Sequence, residues 1–308
     1  MPSRITTGRF APTPSGRLHL GNLFSFMVAY ILARKEGGRV LIRIEDLDTQ
    51  RTKQEYADAI FRDLETLGFE WENEPVFQSK RTEAYIAALE NLEQQKLIYP
   101  CFCSRADLHS VNAPHFGEDY VYAGTCSNLS PSEQAKKAME RNPSTRIRVN
   151  SNAIEFTDCF QGAHCYNLEK CSGDFIIRRS DKVFAYQLAV VVDDAAMGVN
   201  SVVRGVDLIT STPRQIYLQE KLGFEHPSYG HVPLIVDDSG KRLAKRDNAC
   251  DVSSLMRDRG ITPQRLLGHL AFCAGIIEED LSASLDELIK YSNLDALCKK
   301  QSLKVSAF

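Results

Sequence analysis

Apolar and polar positions alternate along the chain in recognisable blocks. Ile5 to Ala11 is a short stretch halted by the breaker run Pro12-Thr13-Pro14-Ser15-Gly16, which predicts a strand and a loop. Leu23 to Leu32 is almost continuously apolar and closes at Gly37-Gly38, which predicts a buried helix. Arg39 to Ile44 reads as a second strand, so the chain opens as a parallel βαβ unit. Tyr56, Ala59, Ile60, Leu64 and Leu67 recur at helical spacing before Gly68, and Tyr85, Leu89, Leu92 and Gln95 mark another helix.

The rhythm breaks between Pro100 and about Asn142, where cysteine, glycine, histidine and asparagine punctuate the chain, and an inserted module is expected. Phe175 to Arg179 and Val183 to Val192 then read as a hairpin feeding a strand. Thr212-Pro213 predicts an N-cap and a helix to about Leu222, and Val232 to Val236 a further strand. From Asp247 the pattern is mostly helical, with Thr262-Pro263 opening a helix on Leu266, Leu267 and Leu270. The fold class is α/β, divided as a first core half (1–100), an inserted module (101–182), a second core half (183–246) and a helical C-terminal part (247–308).

Composition narrows the picture. The 308 residues carry 37 Lys+Arg against 40 Asp+Glu, with 43% hydrophobic and 25% charged residues. A disordered tail, a collagen-like repeat and a charge-driven nucleic-acid coat are excluded. With a net charge of −3, any nucleic acid must meet a local basic surface. The nine cysteines are odd in number and lack small-scaffold spacing, and no apolar run of about 18 residues occurs, so a cytoplasmic protein with reduced thiols and no membrane contact is expected.

Two loops carry candidate chemistry. Arg9 to Asn22 is a proline-stiffened loop running from a strand into a helix; its outward amides suit phosphate, with His19 and Arg17 adding donors. The plainer reading is a tight turn with a capping histidine. Far along the chain, Lys241-Arg242-Leu243-Ala244-Lys245-Arg246 follows a strand and a Ser-Gly turn; charge runs of this kind are commonly solvated loops.

His19-Leu20-Gly21-Asn22 resembles the HIGH-type signature of class I aminoacyl-tRNA synthetases, and the surrounding Arg-Phe-Ala-Pro-Thr-Pro-Ser-Gly resembles their glutamyl and glutaminyl branch. Asn22 replaces the second histidine of the general motif. Arg242 to Arg246 is similar to the KMSKS-type loop, with Lys245 in the place of the second lysine, arginine for the first and alanine for the serine. The resemblance implies a Rossmann-type nucleotide core that forms an aminoacyl-adenylate from ATP with Mg²⁺, using His19, Asn22, Arg242 and Lys245 around the phosphates. It further implies an amino-acid pocket from Arg9, Phe10, Ala11, Pro12, Thr13, Glu45, Tyr186 and Arg204. Two arginines around one small ligand argue for two carboxylates, hence L-glutamate over glutamine. Which carboxylate each arginine takes stays open.

Cys101-Phe102-Cys103 and Tyr122-Ala123-Gly124-Thr125-Cys126 bracket the inserted segment. Three thiols and one further donor can close a tetrahedral zinc site, or the thiols can simply be buried. In the short glutamyl-synthetase-like family the same spacing holds structural Zn²⁺ with tyrosine as fourth ligand, which points to Tyr122; His109 and His115 compete for that place. The other six cysteines are expected to pack. Little chain follows the second motif, which resembles the truncated paralogues that glutamylate queuosine in the anticodon of tRNA(Asp). The resemblance implies ATP, L-glutamate and that tRNA as partners of a monomer. A minimal glutamyl-tRNA synthetase charging 3′ ends is the alternative enzyme, and an inactive glutamate- or adenylate-binding paralogue the alternative of another class.

Overall fold

β1 (Thr7–Phe10), α1 (Leu20–Lys35) and β2 (Arg39–Ile44) form the expected parallel unit, with Thr7 to Phe10 paired to Arg39 to Ile42. This computed structural model describes residues 5–104, 107, 121–237, 240 and 251–305. Leu23, Phe24, Met27, Val28 and Ile31 of α1 are fully buried, as a helix apolar on most faces must be. A Cβ on Gly38 would stand 2.2 Å from the Thr6 carbonyl oxygen, so glycine is what lets the chain turn back beside β1.

The chain continues through α2 (Gln54–Thr66), β3 (Val76–Phe77), α3 (Thr82–Gln94) and β4 (Ile98–Cys101). It then forms α4 (Pro131–Glu140), β5 (Ser144–Ile147), β6 (Ala153–Asp158), β7 (Gly162–Asn167), the single turn α5 (Leu168–Cys171) and β8 (Phe175–Arg178). Next come α6 (Tyr186–Ala196), β9 (Ser201–Gly205), α7 (Thr212–Leu222), β10 (Ser228–Val232) and β11 (Leu234–Val236). α8 (Val252–Asp258), α9 (Pro263–Ala274), α10 (Leu285–Tyr291) and β12 (Ser302–Lys304) close the described chain.

Two sheets, β3-β2-β1 and β9-β10-β6-β7, meet along β1 and β9. There Thr7 N donates to Asn200 Oδ1 at 2.7 Å and Asn200 N to Thr7 O at 3.0 Å. Every pairing in them is parallel except the β6–β7 hairpin. The strand order reverses between β1 and β9, the place where open α/β sheets bind ligands. Val40 and Ile42 face one core with α1, α9 and α10, while Leu41 faces the other with α3, α6 and α7. Helices therefore cover both faces, as the alternation of a doubly buried strand requires. A separate antiparallel sheet, β4-β5-β8, carries the cysteine segment.

Three expectations change. Residues 186–196 are the helix α6, where a strand was expected from 183 to 192: a short apolar run buried all round, here Leu188 to Val192, has no periodicity to separate the two. Thr212 is the first residue of α7 and Ser211 its N-cap; the Thr212 hydroxyl accepts from Arg204 instead. Cys159, Cys165 and Cys298 are exposed and do not pack. The segment read as an insertion also supplies the β6–β7 hairpin that extends the core sheet. No helix among the described residues is long and apolar enough to cross a membrane.

Candidate active site and cysteine cluster

A cavity of about 350 Å³ opens where the carboxyl ends of β1, β2 and β9 meet the N-terminus of α1. Arg9, Ala11, Thr13, His19, Asn22, Glu45, Tyr186 and Arg204 all line it. Phe10 does not: its ring is fully buried against Phe26, Tyr30 and Phe69, on the opposite side of β1 from its neighbour Arg9. Pro12 also stays out of the lining, and its carbonyl accepts the Glu45 N–H at 2.9 Å, pinning the loop to the end of β2.

Arg9 is 4% exposed and donates through Nη1 to the Val203 carbonyl at 3.1 Å. Its Nε has no hydrogen-bond acceptor, with Asp194 Oδ1 3.6 Å away. Arg204, also buried, donates through Nη1 to Gln215 Oε1 at 2.7 Å and Tyr186 Oη at 3.3 Å, through Nη2 to Thr212 Oγ1 at 2.9 Å, and through Nε to His231 Nε2 at 3.0 Å. Two guanidinium groups thus stand in one cavity in fixed poses.

Glu45 lies between β2 and the loop and is held by Arg43 Nη2 at 3.1 Å. Burial pushes its carboxyl above the ordinary value, against the opposing charges of Arg43 and Arg9. A cationic group arriving in the cavity would relieve that desolvation.

Beneath this wall sits a buried charge cluster that sequence reasoning saw only in part. Arg43, fully buried, donates to Asp194 Oδ1 at 2.6 Å, and Asp193 accepts from Gln78, Arg81 and Tyr85 at 2.7–2.9 Å. Burial alone would lower the Arg43 pKa, but Asp194, Glu45 and Asp193 outweigh it and hold it raised.

His19 is the N-cap of α1 and its Nδ1 accepts the Asn22 N–H at 3.3 Å. In the neutral ring this leaves the proton on Nε2 as a donor. Arg242 and Lys245 lie outside the described residues. The cavity's apolar side, from Phe26, Pro233, Leu234 and Ile235, went unnoticed because nothing marks an apolar residue as cavity-lining before the strands are placed.

The thiols of Cys101, Cys103 and Cys126 converge, their sulfurs within 4.8 Å of one another. Cys103 and Cys126 sulfurs are 3.6 Å apart, and Tyr122 Oη is 3.4 Å from Cys101 Sγ and 3.8 Å from Cys103 Sγ. A tetrahedral zinc with Zn–S bonds near 2.3 Å needs ligand edges of roughly 3.5–3.8 Å, so the donor set fits the ion. Burial, then repulsion from Cys101, pushes the Cys103 thiol up to about 12, a proton that a divalent cation would displace. Arg146 donates through Nε to Cys101 Sγ at 3.2 Å and stacks 3.7 Å above the Tyr122 ring. Gly173 admits Tyr122: a Cβ there would meet the Tyr122 carbonyl oxygen at 2.4 Å. His109 and His115 lie outside the described residues.

The family model of the tRNA synthetases class I (E and Q), catalytic domain, matches residues 5–306. The chain belongs to that family. It is a ligase of the class I aminoacyl-tRNA synthetase type, and enzymes of this class use ATP with Mg²⁺. Among curated relatives, the glutamyl-Q tRNA(Asp) synthetase of Nitratidesulfovibrio vulgaris is 44% identical over 283 residues, 88% of this chain and 87% of the relative. That of Geobacter sulfurreducens is 46% identical over 277 residues, 88% and 85% of the two chains. The glutamate-tRNA synthetase of Elizabethkingia anophelis superimposes with a TM-score of 0.83 at 24% identity, over 99% of this chain and 68% of that one, a likeness of fold. In this class I synthetase the switch-point crevice is the place where most of the expected residues gather.

Proposed function

We propose that this synthetase activates L-glutamate as glutamyl-adenylate and transfers the glutamyl group to queuosine in the anticodon of tRNA(Asp). The observation that carries the amino-acid assignment is the pairing of two buried arginines, Arg9 and Arg204, with one desolvated carboxylate, Glu45, around a single cavity. That arrangement complements a small molecule with two carboxylates and one ammonium, and glutamine would leave one arginine without its anion. Glu45 takes the ammonium, Arg9 and Arg204 with Tyr186 the carboxylates, and Ala11 and Thr13 the cavity wall.

The substrate α-carboxylate attacks the α-phosphorus of ATP and pyrophosphate leaves. No protein nucleophile is required, so the chain's own groups position substrates and stabilise charge. His19 and the α1 N-terminus with Asn22 face the phosphates, and Arg242 and Lys245 complete the charge; Mg²⁺ entering with ATP would supply further charge neutralisation there. The acceptor assignment rests on the relatives' names, matched across most of both chains.

The decisive experiment offers labelled glutamate, ATP and bulk tRNA from queuosine-containing or queuosine-lacking cells. Label is expected on the first pool only. Equal label on both pools would assign 3′-end charging instead, and none on either would assign an inactive paralogue.

The cysteine cluster is proposed as a structural Zn²⁺ site of Cys101, Cys103, Tyr122 and Cys126. The purified protein is expected to carry about one zinc per chain, and Cys126→Ser to lose it together with thermal stability of the 101–178 segment. Metal analysis and chelator-dependent melting check this; a melting curve indifferent to chelator would overturn it.

A further inference from the structure

The catalytic roles above leave one buried titratable pair unused. His231 on β10 and Asp158 at the end of β6 both have side chains with no solvent exposure, and they lie directly behind Arg204. Asp158 Oδ1 accepts three backbone N–H groups, from Phe160 at 3.0 Å, Gln161 at 2.9 Å and His231 at 3.0 Å. Its other oxygen, Oδ2, is 2.5 Å from His231 Nδ1. The far ring nitrogen, Nε2, meets Arg204 Nε at 3.0 Å and stands 3.3 Å from the hydroxyl of Thr212, which itself accepts from Arg204 Nη2.

The order of donors along this line is dictated at both ends. Arg204 can only donate. Asp158 is held as a carboxylate: burial alone would raise it, but the His231 side chain and backbone pull it below its ordinary value, so it accepts. Between them the imidazole must carry its proton on Nδ1 and offer a lone pair on Nε2. Burial pushes His231 below its ordinary pKa, with Asp158 opposing and Arg204 reinforcing, which is the direction a neutral ring needs.

We infer that Asp158 and His231 are positioning residues for substrate binding: Asp158 sets the tautomer of His231, and that tautomer fixes the guanidinium plane of Arg204 against the amino-acid cavity. Nε is held by His231, Nη2 by Thr212 and Nη1 by Gln215, so the plane cannot rotate without breaking all three bonds. With Tyr186 these bonds engage four of the five guanidinium N–H groups, so the plane decides where the remaining Nη2 N–H meets the anion and must be set before it arrives. The inference rests on the glutamate reading of the cavity.

Asp158→Asn is nearly isosteric. Its oxygen keeps the three backbone N–H groups, and its amide N–H₂ then faces His231 Nδ1. The ring is forced to the Nε2–H tautomer, whose hydrogen opposes the Arg204 Nε–H. His231→Gln and His231→Asn separate the two ends: glutamine reaches the Nε2 position and can accept from Arg204, whereas asparagine reaches only the Nδ1 position and cannot.

Expected for Asp158→Asn and His231→Asn is a rise in KM for L-glutamate of about tenfold or more in ATP–pyrophosphate exchange, as for loss of one charge-assisted hydrogen bond, with kcat changed far less. His231→Gln is expected to stay close to wild type. Adding Asp158→Asn to His231→Gln should then cost little, since an amide has no tautomer to flip. Nitrogen-15 spectra of His231 should report the Nδ1–H form in wild type and the Nε2–H form in Asp158→Asn. If the tautomer flips and KM is unchanged, or if glutamine and asparagine at 231 raise KM equally, the positioning role is overturned. A tautomer that flips in a protein whose wild type shows no glutamate-dependent exchange would instead overturn the glutamate reading. Should Asp158→Asn not fold, the glutamine and asparagine pair at 231 decides the matter alone.

Discussion

Arg43→Met is expected to lower the melting temperature by roughly 5–8 °C and to abolish glutamate-dependent pyrophosphate exchange. Arg43 has no exposed surface, and it stands among Asp194 at 2.6 Å, Glu45 at 3.1 Å and Asp193 at 3.9 Å. Removing one partner of a buried ionic group leaves the others desolvated and uncompensated, at about 3–5 kcal/mol. Methionine fills much of the volume, so the loss reports charge more than packing.

The consequence for the cavity follows from the same contacts. Without Arg43 the Glu45 carboxyl, already pushed up by burial, loses the closest cation that opposes the push. It protonates more readily and can no longer pair with an ammonium. Lysine at 43 restores a charge but cannot fork between Asp194 and Glu45, so it is expected to recover stability more than activity. Melting curves and exchange assays on both variants test this; an Arg43→Met protein that melts and exchanges like wild type would remove the cluster from any role in holding Glu45.

Much of the site was legible before the fold because its parts are local. Arg9, the proline-stiffened loop and His19 follow one another at a strand-to-helix junction, and breakers, an apolar run and paired glycines delimit that unit without tertiary information. The cysteine cluster was legible for the same reason, since Cys101 and Cys103, like Tyr122 and Cys126, are near neighbours in sequence. What escaped is what long-range pairing creates. Asp158 and His231 are 73 positions apart and meet only because β6 pairs with β10. Arg43 looks like a surface charge on a strand until α6 places Asp193 and Asp194 against it. The misreading of α6 hid this cluster: a strand ending at Val192 leaves Asp193 and Asp194 beyond it, whereas the helix runs on to Ala196 and lets both turn toward β2.

His19→Asn is expected to lower the rate of glutamyl-adenylate formation by about 10²-fold or more while changing stability by less than about 1 kcal/mol. The two halves of that expectation come from the two nitrogens of one ring. Nδ1 caps α1 by accepting the Asn22 N–H at 3.3 Å. Asparagine is among the best N-cap residues and its Oδ1 can take over that bond, so the helix and the buried face of α1 should be retained. Asparagine cannot reproduce the reach of Nε2, which in the neutral ring is the donor of this cavity-lining side chain. A donor aimed at phosphate charge that grows in the transition state belongs to the class of contact whose loss is largest in rate and small in folding. Gly21 agrees with this arrangement, because a Cβ there would press on the His19 ring at 3.1 Å and turn it from its pose. His19→Ala loses cap and donor together and should fall in both measurements, by about 1 kcal/mol more in stability than the asparagine variant. Thermal unfolding beside ATP–pyrophosphate exchange separates the cases. If asparagine at 19 exchanges at the wild-type rate, the histidine is a helix cap alone, and the phosphate charge falls to the α1 amides and the loop carrying Arg242 and Lys245.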